Sequence, residues 1–509
     1  MPSDSTGAVA IDTSNKHERV AGYDVARAVA ICGMVLINFG VYLLGSPHGG
    51  PGEVVLRWLA HLPGGRASSL FVTLAGVGIA RMAYGDVSSA RRTLLVRAAL
   101  LLGLGALNLR FDWYIDILHF YACYLAIAAI FFLRATPRAL LGSALAFAAL
   151  GPVIAIAIPE DARPYAPPLS PIGLLRDALI DGVHPVVPWL AFLLYGMWLG
   201  RLDLREPSLR RSILARALAA FVTIEVVSLV LSVLAVRDER ASSFLSLTHA
   251  EWSPSALYVL SAASSATAII ALAHEAVARA PGHRLVRIFG GAGQLSLTIY
   301  LVHAHLAIGI PRFLLGQAHA MRVEWMLLYW VAFVLVVLPL AALYRRYFTR
   351  GPVEWLMRRI SGSPEHVAPI AEASARVTEP SRPMWIALAV AIALLPIADV
   401  LGTTPPTPHC DGRRSIALHS ATASQITLLC PRARFSLDLD TAAPTLLTTR
   451  SGMDVYLEVR EHGAMVAEDD DSGVGLDSRI ERTLGPGHYE VDVRPYSAST
   501  GPFVLVVKR

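Results

Sequence analysis

The sequence predicts a polytopic α-helical membrane protein of about eleven transmembrane helices with a C-terminal all-β sandwich domain. Three observations lead there. Only 16 % of the 509 residues are charged while 54 % are hydrophobic, against roughly 25 % charged in ordinary soluble domains. Apolar runs long enough to cross a bilayer recur down the chain with short arginine clusters between them. After Leu401 the composition turns to a Thr/Pro linker and then to short alternating segments punctuated by Gly, Asp and Pro. A single soluble enzyme is excluded, because so apolar a chain cannot cover a water-facing surface. The basic residues lie scattered between apolar runs rather than on one face, which argues against nucleic-acid binding.

Residues 1–20 are polar and read as a disordered cytoplasmic N-terminus. The first run, Val25 to about Leu44, lacks a small-residue cleavage site and is read as a retained helix rather than a signal peptide. Further runs lie near 68–84, 93–109, 113–133, 139–158, 186–200, 212–236, 254–276, 290–315, 325–344 and 383–402. With the N-terminus inside, Arg81, Arg91, Arg92, Arg134, Arg138, Arg201, Arg205, Arg210, Arg211, Arg279, Arg284, Arg287, Arg345, Arg346 and Arg350 all fall in cytoplasmic loops. The positive-inside rule selects this orientation, and an odd span count sends the C-terminus out. The domains are therefore 21–362, the helical body; 363–382, a cytoplasmic linker; 383–402, a final transmembrane helix; and 403–509, an extracytoplasmic β domain.

Strands are expected at Ser424–Leu429, Asp454–Val459, Tyr489–Val493 and Phe503–Val507. Cys410 and Cys430 form the one cysteine pair in a soluble segment. A disulfide there would close a loop of about 20 residues and stabilise by about 3 kcal/mol in the chain-entropy model, in an oxidising compartment that agrees with the outward placement. Cys32 and Cys123 lie in spans and read as packing residues. The stretches 453–473, 477–497 and 500–507 resemble the bacterial pre-peptidase C-terminal domain, which implies a β-sandwich appendage with no chemistry of its own. Asp469, Asp470 and Asp471 suit a solvated hairpin loop better than a cation site.

Ionisable groups within spans are costly, so function is sought there. On the first helix Asp24, Arg27 and Asn38 fall within an arc of roughly 60°, with Asn38 about 21 Å beyond Asp24. Asp24 and Arg27 are also placed to form a purely structural ion pair. In the fourth span Asp112, Asp116 and His119 share one face, and the i,i+3 spacing lets Asp116 orient the His119 imidazole as general-base catalysis requires. A helix-packing pair explains the same spacing equally well. The ninth span aligns Ser296, Tyr300 and His303 as a cavity wall or as satisfied core residues.

The segments DVARAVAICGMVLINFG (24–40), ASSLFVTLAGVGIA (67–80), DILHFYACYLA (116–126), HPVVPWLAFLLYGMWLGRL (184–202), GQLSLTIYLVHA (293–304) and YFTRGPVEWLMRRIS (347–361) resemble the DUF418 (YeiB-like) membrane family. They are also similar to the heparan-alpha-glucosaminide N-acetyltransferase (DUF1624) and acyltransferase-3 groups. Coverage is about 18–362, with RGPVEW the most specific piece. In the heparan acetyltransferases an Asn near the end of the first catalytic helix precedes the catalytic His. Asn38 matches the former and His48 is the nearest positional match to the latter, with His61 as competitor, because the residues after His48 do not reproduce the family's Trp-Asn-Gly continuation.

The resemblance implies transfer of an acyl group, such as acetyl, from cytoplasmic acyl-CoA to an extracytoplasmic glycan or amine acceptor. Catalytic candidates are His48, Asn38, His119, Asp116 and His61. The acyl-CoA-binding candidates are Asp24, Arg27, Arg91, Arg92, Arg201, Tyr300, His303, Arg350 and Glu354. Each arginine is also explained by topology alone. No metal-ligand cluster or nucleotide fingerprint is present, and no resident cofactor is expected beyond acyl-CoA as co-substrate. The alternative reading is a non-enzymatic transporter, although the internal repeats common in transporters are not evident.

Overall fold

A computed structural model describes residues 21–44, 51–83, 86–110, 116–157, 171–235, 255–311, 321–362, 414–417, 420–426, 433–451, 455–469, 478–495 and 501–508. His48, Asp112, the linker 363–382, the expected last span 383–402, Cys410 and Cys430 lie outside the described residues.

Fourteen helices are described in the helical part: α1 (Ala21–Leu43), α2 (Pro51–His61), α3 (Arg66–Ala83), α4 (Val87–Arg110), α5 (Leu118–Ile127), α6 (Pro137–Ala157), α7 (Pro171–Arg176), α8 (Val186–Leu199), α9 (Pro207–Ala235), α10 (Ala256–Arg279), α11 (Arg284–Gly293), α12 (Ser296–Val302), α13 (Val323–Tyr347) and α14 (Pro352–Ser361). π-Helical segments follow α5 (Ala128–Phe132), α7 (Asp177–Asp181) and α12 (His303–Gly309).

The eleven expected spans are shown only in part. Among the described residues five helices are long and apolar enough to cross a membrane (α1, α6, α9, α10 and α13), or six if α11 and α12, bent by 76°, make one span. Where they are described, the remaining expected runs up to residue 315 are helical too, but they are short or charged. α8 has 14 residues, a length of about 21 Å where the hydrocarbon core is about 30 Å. α4 carries Arg91, Arg92, Arg97 and Arg110, and α3 is bracketed by Arg66 and Arg81.

Large apolar side chains cover the outside of this body, including Leu102, Phe131, Leu145, Val230, Leu328 and Leu335. A continuous coat of that kind is stable against lipid and not against water. α1 sits at the centre, packed on α3, α10, α11 and α13. α3 and α8 cross in close backbone contact. A Cβ on Gly76 would lie 2.1 Å from the Leu193 carbonyl oxygen, and one on Gly196 would lie 2.1 Å from that of Thr73. Small residues at such crossings let backbones touch, which is how helices associate where no hydrophobic driving force exists.

The C-terminal part is a two-sheet sandwich. Its strands are β1 (Arg414–Ile416), β2 (Ser420–Ile426), β3 (Ala433–Leu439), β4 (Ala443–Ser451), β5 (Val455–Glu461), β6 (Ala464–Asp469), β7 (Arg479–Leu484), β8 (Gly487–Pro495) and β9 (Gly501–Lys508). One sheet has the order β1-β3-β8-β5-β6 and the other β2-β9-β4-β7. Alternation puts Phe435, Leu457, Val459 and Val491 of the first sheet against Leu447, Phe503 and Leu505 of the second. The β5–β6 turn places His462 and Gly463 at φ 50° and 80°, the left-handed pair that a two-residue hairpin turn demands. Each of the four expected strands overlaps a strand of the sandwich, residues 427–429 of the first lying outside the described residues. Asp469 accepts from the Arg479 amide at 2.7 Å, so it fastens β6 to the start of β7.

On the outer face of β5, Glu458 is buried between Arg460 (2.8 Å) and Arg494 (2.9 Å). Burial works to raise its carboxyl, but the two guanidinium groups outweigh it and hold the group below the usual range. A depressed folded-state value stabilises above the unfolded value of about 4.3, and that stability is lost as pH falls through the folded value. Melting of the purified protein between pH 7 and 3 should therefore show an acid-sensitive β transition that is flatter in Glu458→Gln; parallel curves would refute the assignment. In the helical part, Gly196→Val should lower the melting temperature by the equivalent of about 1–3 kcal/mol or more. Gly78→Ala on α3, where nothing lies within 4 Å of the added atom, should leave melting nearly unchanged.

Candidate functional site

Two polar layers cross the apolar bundle, both anchored on α1. In the first, Asp24 is buried and accepts from Arg27 at 2.6 Å and from Gln294 at 3.1 Å. Gly293 makes this possible, because a Cβ there would lie 1.7 Å from the Asp24 carbonyl oxygen. Gln294 stands at the break between α11 and α12, and Glu354 organises the restart. Its Oε1 accepts from the amides of Leu297 (2.9 Å) and Thr298 (3.0 Å), and its Oε2 from the Thr298 hydroxyl (2.5 Å). A carboxylate at a helix N-terminus satisfies donors that have no partner within the helix and meets the positive end of the dipole. The Gly-Pro before it serves the same end, with Gly351 closely approached by Glu354 and Thr298 and Pro352 opening α14.

The second layer lies about 21 Å further along α1, where Asn38 is buried and its Nδ2 stands 2.8 Å from His303 Nε2. From the turn fixed by Glu354, α12 and its π-helical continuation present Tyr300, His303 and His305 to the neighbouring elements. The Tyr300 hydroxyl donates to Asp116 Oδ1 at 3.3 Å, and His305 Nε2 lies 2.9 Å from Asn108 Oδ1. Asn108 in turn donates to Asp116 Oδ1 at 2.7 Å.

Asp116 is fully buried, and its second oxygen takes the amides of Leu118 (2.9 Å) and His119 (3.1 Å) together with His119 Nδ1 (3.0 Å). One carboxylate thus starts α5, fixes the imidazole and ties α4 and α12 to it. The other ring nitrogen, Nε2, lies 3.3 Å from Asp177 at the start of a π-helical segment. The Asp177 side chain is 44 % exposed, against 12 % for His119 and 0 % for Asp116. Asp116 is therefore the fixed partner and Asp177 the one able to turn away. With Nδ1 committed to the buried Asp116, Nε2 is the ring nitrogen that faces the more exposed side.

A cavity of about 20 Å³ opens beside this network, lined by Met34, Asn38, Ser68, Ile117, His184 and Tyr300 among others. It is large enough for one water molecule or a small chemical group.

Sequence reasoning placed Asp116 with His119 and aligned Tyr300 with His303; the fold adds the pairing of Asn38 with His303 across 265 residues. His61 ends α2 and shares no hydrogen bond with Asn38, Asp116 or His119 among the described residues. Arg91 and Arg201 donate to the carbonyls of Ala129 (3.0 Å) and Ala135 (2.7 Å), where α5 and its π-helical extension end. Arg92 is exposed and Arg350 half-buried. Asn108, Asp177, His184 and His305 belong to the site without having been singled out. An Asn within the apolar run ending at Arg110 was a usable signal, whereas Asp177 carried none, since it lies on a short segment 58 residues from the histidine it meets.

Replacing Asp116 by Ala would strand several buried donors at once, each costing about 1–3 kcal/mol. The variant should melt well below wild type, and Asp177→Ala should melt close to it; equal melting of Asp116→Ala and wild type would show that the network does not hold the fold.

Residues 19–232 match the family described as heparan-alpha-glucosaminide N-acetyltransferase, catalytic, and residues 199–363 match the protein of unknown function family DUF418. No curated protein matches the chain. Among solved structures the pre-peptidase C-terminal domain of collagenase from Bacillus anthracis aligns at 15 % identity, covering 20 % of this chain and 100 % of that one with a TM-score of 0.18. From residue 19 to 363 the helical region is matched without a break by the heparan-alpha-glucosaminide N-acetyltransferase catalytic family and the DUF418 family.

Proposed function

We propose that the protein is an integral membrane acyltransferase that moves an acyl group, acetyl by the name of the matching family, from cytoplasmic acyl-CoA to an extracytoplasmic glycan or amine acceptor. The observation that carries this reading is the Asp116–His119 pair, joined through Tyr300 to a small cavity that is also lined by Asn38, the partner of His303. A carboxylate-oriented imidazole next to an amide donor is what acyl transfer needs. The arginine distribution supports an N-terminus in the cytoplasm, with the β domain and a Cys410–Cys430 disulfide on the far side.

In this orientation α1 runs outward, so the Asp24 layer lies towards the cytoplasm and the Asn38 layer towards the exterior. Acyl-CoA approaches from the cytoplasmic side, where Arg91, Arg92, Arg201 and Arg350 offer charge to its phosphates. Arg27 and Glu354 line the way as positioning groups. At the outer layer a histidine nitrogen takes the proton of the acceptor amine or hydroxyl. The freed lone pair attacks the thioester carbonyl, the C–S bond breaks, and the thiolate of CoA leaves and takes up a proton. The Asn38 amide, which also meets His303, donates to the carbonyl oxygen as negative charge develops there.

His48 holds first place as the base through its position after Asn38, followed by His119 with its carboxylate partner and then His61. Single-turnover transfer from radiolabelled acetyl-CoA, measured with melting temperature for His48→Ala, His119→Ala and His61→Ala, decides between them. The catalytic histidine should lose about 10²-fold or more in rate while still folding and binding acyl-CoA. Three folded variants with wild-type transfer would overturn the site, and a wild type that binds no acyl-CoA would put a transporter in its place.

A further inference from the structure

The cavity beside Asn38 has a histidine in its wall. His184 is 3 % exposed, and neither ring nitrogen is hydrogen-bonded to any of the described residues. The ring is held in place by other means. Trp189 packs against it edge-on at 4.4 Å and 68°, and Phe120 at 6.1 Å and 61°. Its backbone carbonyl accepts from the Tyr124 hydroxyl, and Pro185 directly follows it as the N-cap of α8. This is a rigidly mounted imidazole with its hydrogen-bonding capacity unspent.

Such a group is costly. A buried polar atom without a partner destabilises by an amount that an apolar residue of the same shape would avoid. Two other polar wall residues behave differently, since Asn38 is engaged with His303 and Tyr300 with Asp116. The cavity is too small for a sugar ring or for the phosphates of CoA, and no charged side chain lines it. Met34 and Ile37 offer apolar surface for a methyl group, while a carbonyl oxygen is the acceptor that an imidazole N–H requires.

We propose that His184 is a substrate-contacting residue whose imidazole donates to the carbonyl oxygen of the thioester acyl group seated in this cavity. The inference rests on the acyltransferase reading and adds to it a second donor opposite Asn38, together with a place where acyl size is felt.

The test compares the binding of acetyl-CoA and of CoA to the purified full-length protein, with melting temperature, in wild type, His184→Phe and His184→Gln. Wild type should bind acetyl-CoA about 3- to 10-fold more tightly than CoA, the range of one hydrogen bond. His184→Phe preserves the aromatic packing and removes both nitrogens. It should bind the two ligands alike, keep its affinity for CoA and melt at or above the wild-type temperature. His184→Gln, which still offers an N–H, should restore part of the preference. A preference that survives in His184→Phe, or wild type binding both ligands equally, overturns the role of His184 and leaves the acyl-CoA reading standing. Failure of wild type to bind either ligand removes that reading and the inference with it.

Discussion

The Asp116 carboxylate is the constraint on which the rest of the site depends. It is fully buried in an apolar bundle, where an unpaired charge would be prohibitively costly, and it is tolerated because α4, α5 and α12 each direct donors at it. Satisfying it fixes where α5 begins, which way the His119 ring faces and how close the Tyr300 helix must come. The Asn38–His303 pair is then held at the same level of the bundle through α12.

The precision of that second pair is inherited from further away. α12 restarts after a 76° bend, and a bend leaves amides without helical partners. Glu354 supplies the missing acceptors from α14, and Gly351 and Gly293 leave room for the backbone to come close. The conspicuous RGPVEW segment is thus a brace for the helix that carries Tyr300 and His303.

Polar groups are rationed throughout the helical part, and most buried charges have an identifiable partner. Arg66 meets Glu225 at 2.5 Å and Ser261 at 3.1 Å, and Arg210 meets Glu275 at 2.6 Å. Arg91 and Arg201, which sequence assigns to topology and to ligand phosphates, also satisfy carbonyls at the end of the α5 segment. Among the buried histidines that are described, His184 is the one whose two ring nitrogens both lack a hydrogen bond.

The sequence by itself determined the class of molecule, since a 16 % charged chain of repeated apolar runs has no other stable solvent than lipid. It also determined the β sandwich, because period-2 alternation and turn residues are local signals, and the pairing of Asp116 with His119, because a spacing of three is a local one, although Asp116 precedes α5 rather than sharing a helix face with His119. Which apolar runs form long helices and which form short or broken ones was decided by tertiary structure. Helices such as α8 are stabilised by burial against neighbours, so length and hydropathy do not fix whether they span. Only the fold joined Asn38 to His303, His119 to Asp177 and His184 to the cavity. Those contacts link segments far apart in sequence, and helical periodicity says which face a residue occupies without saying what that face will meet.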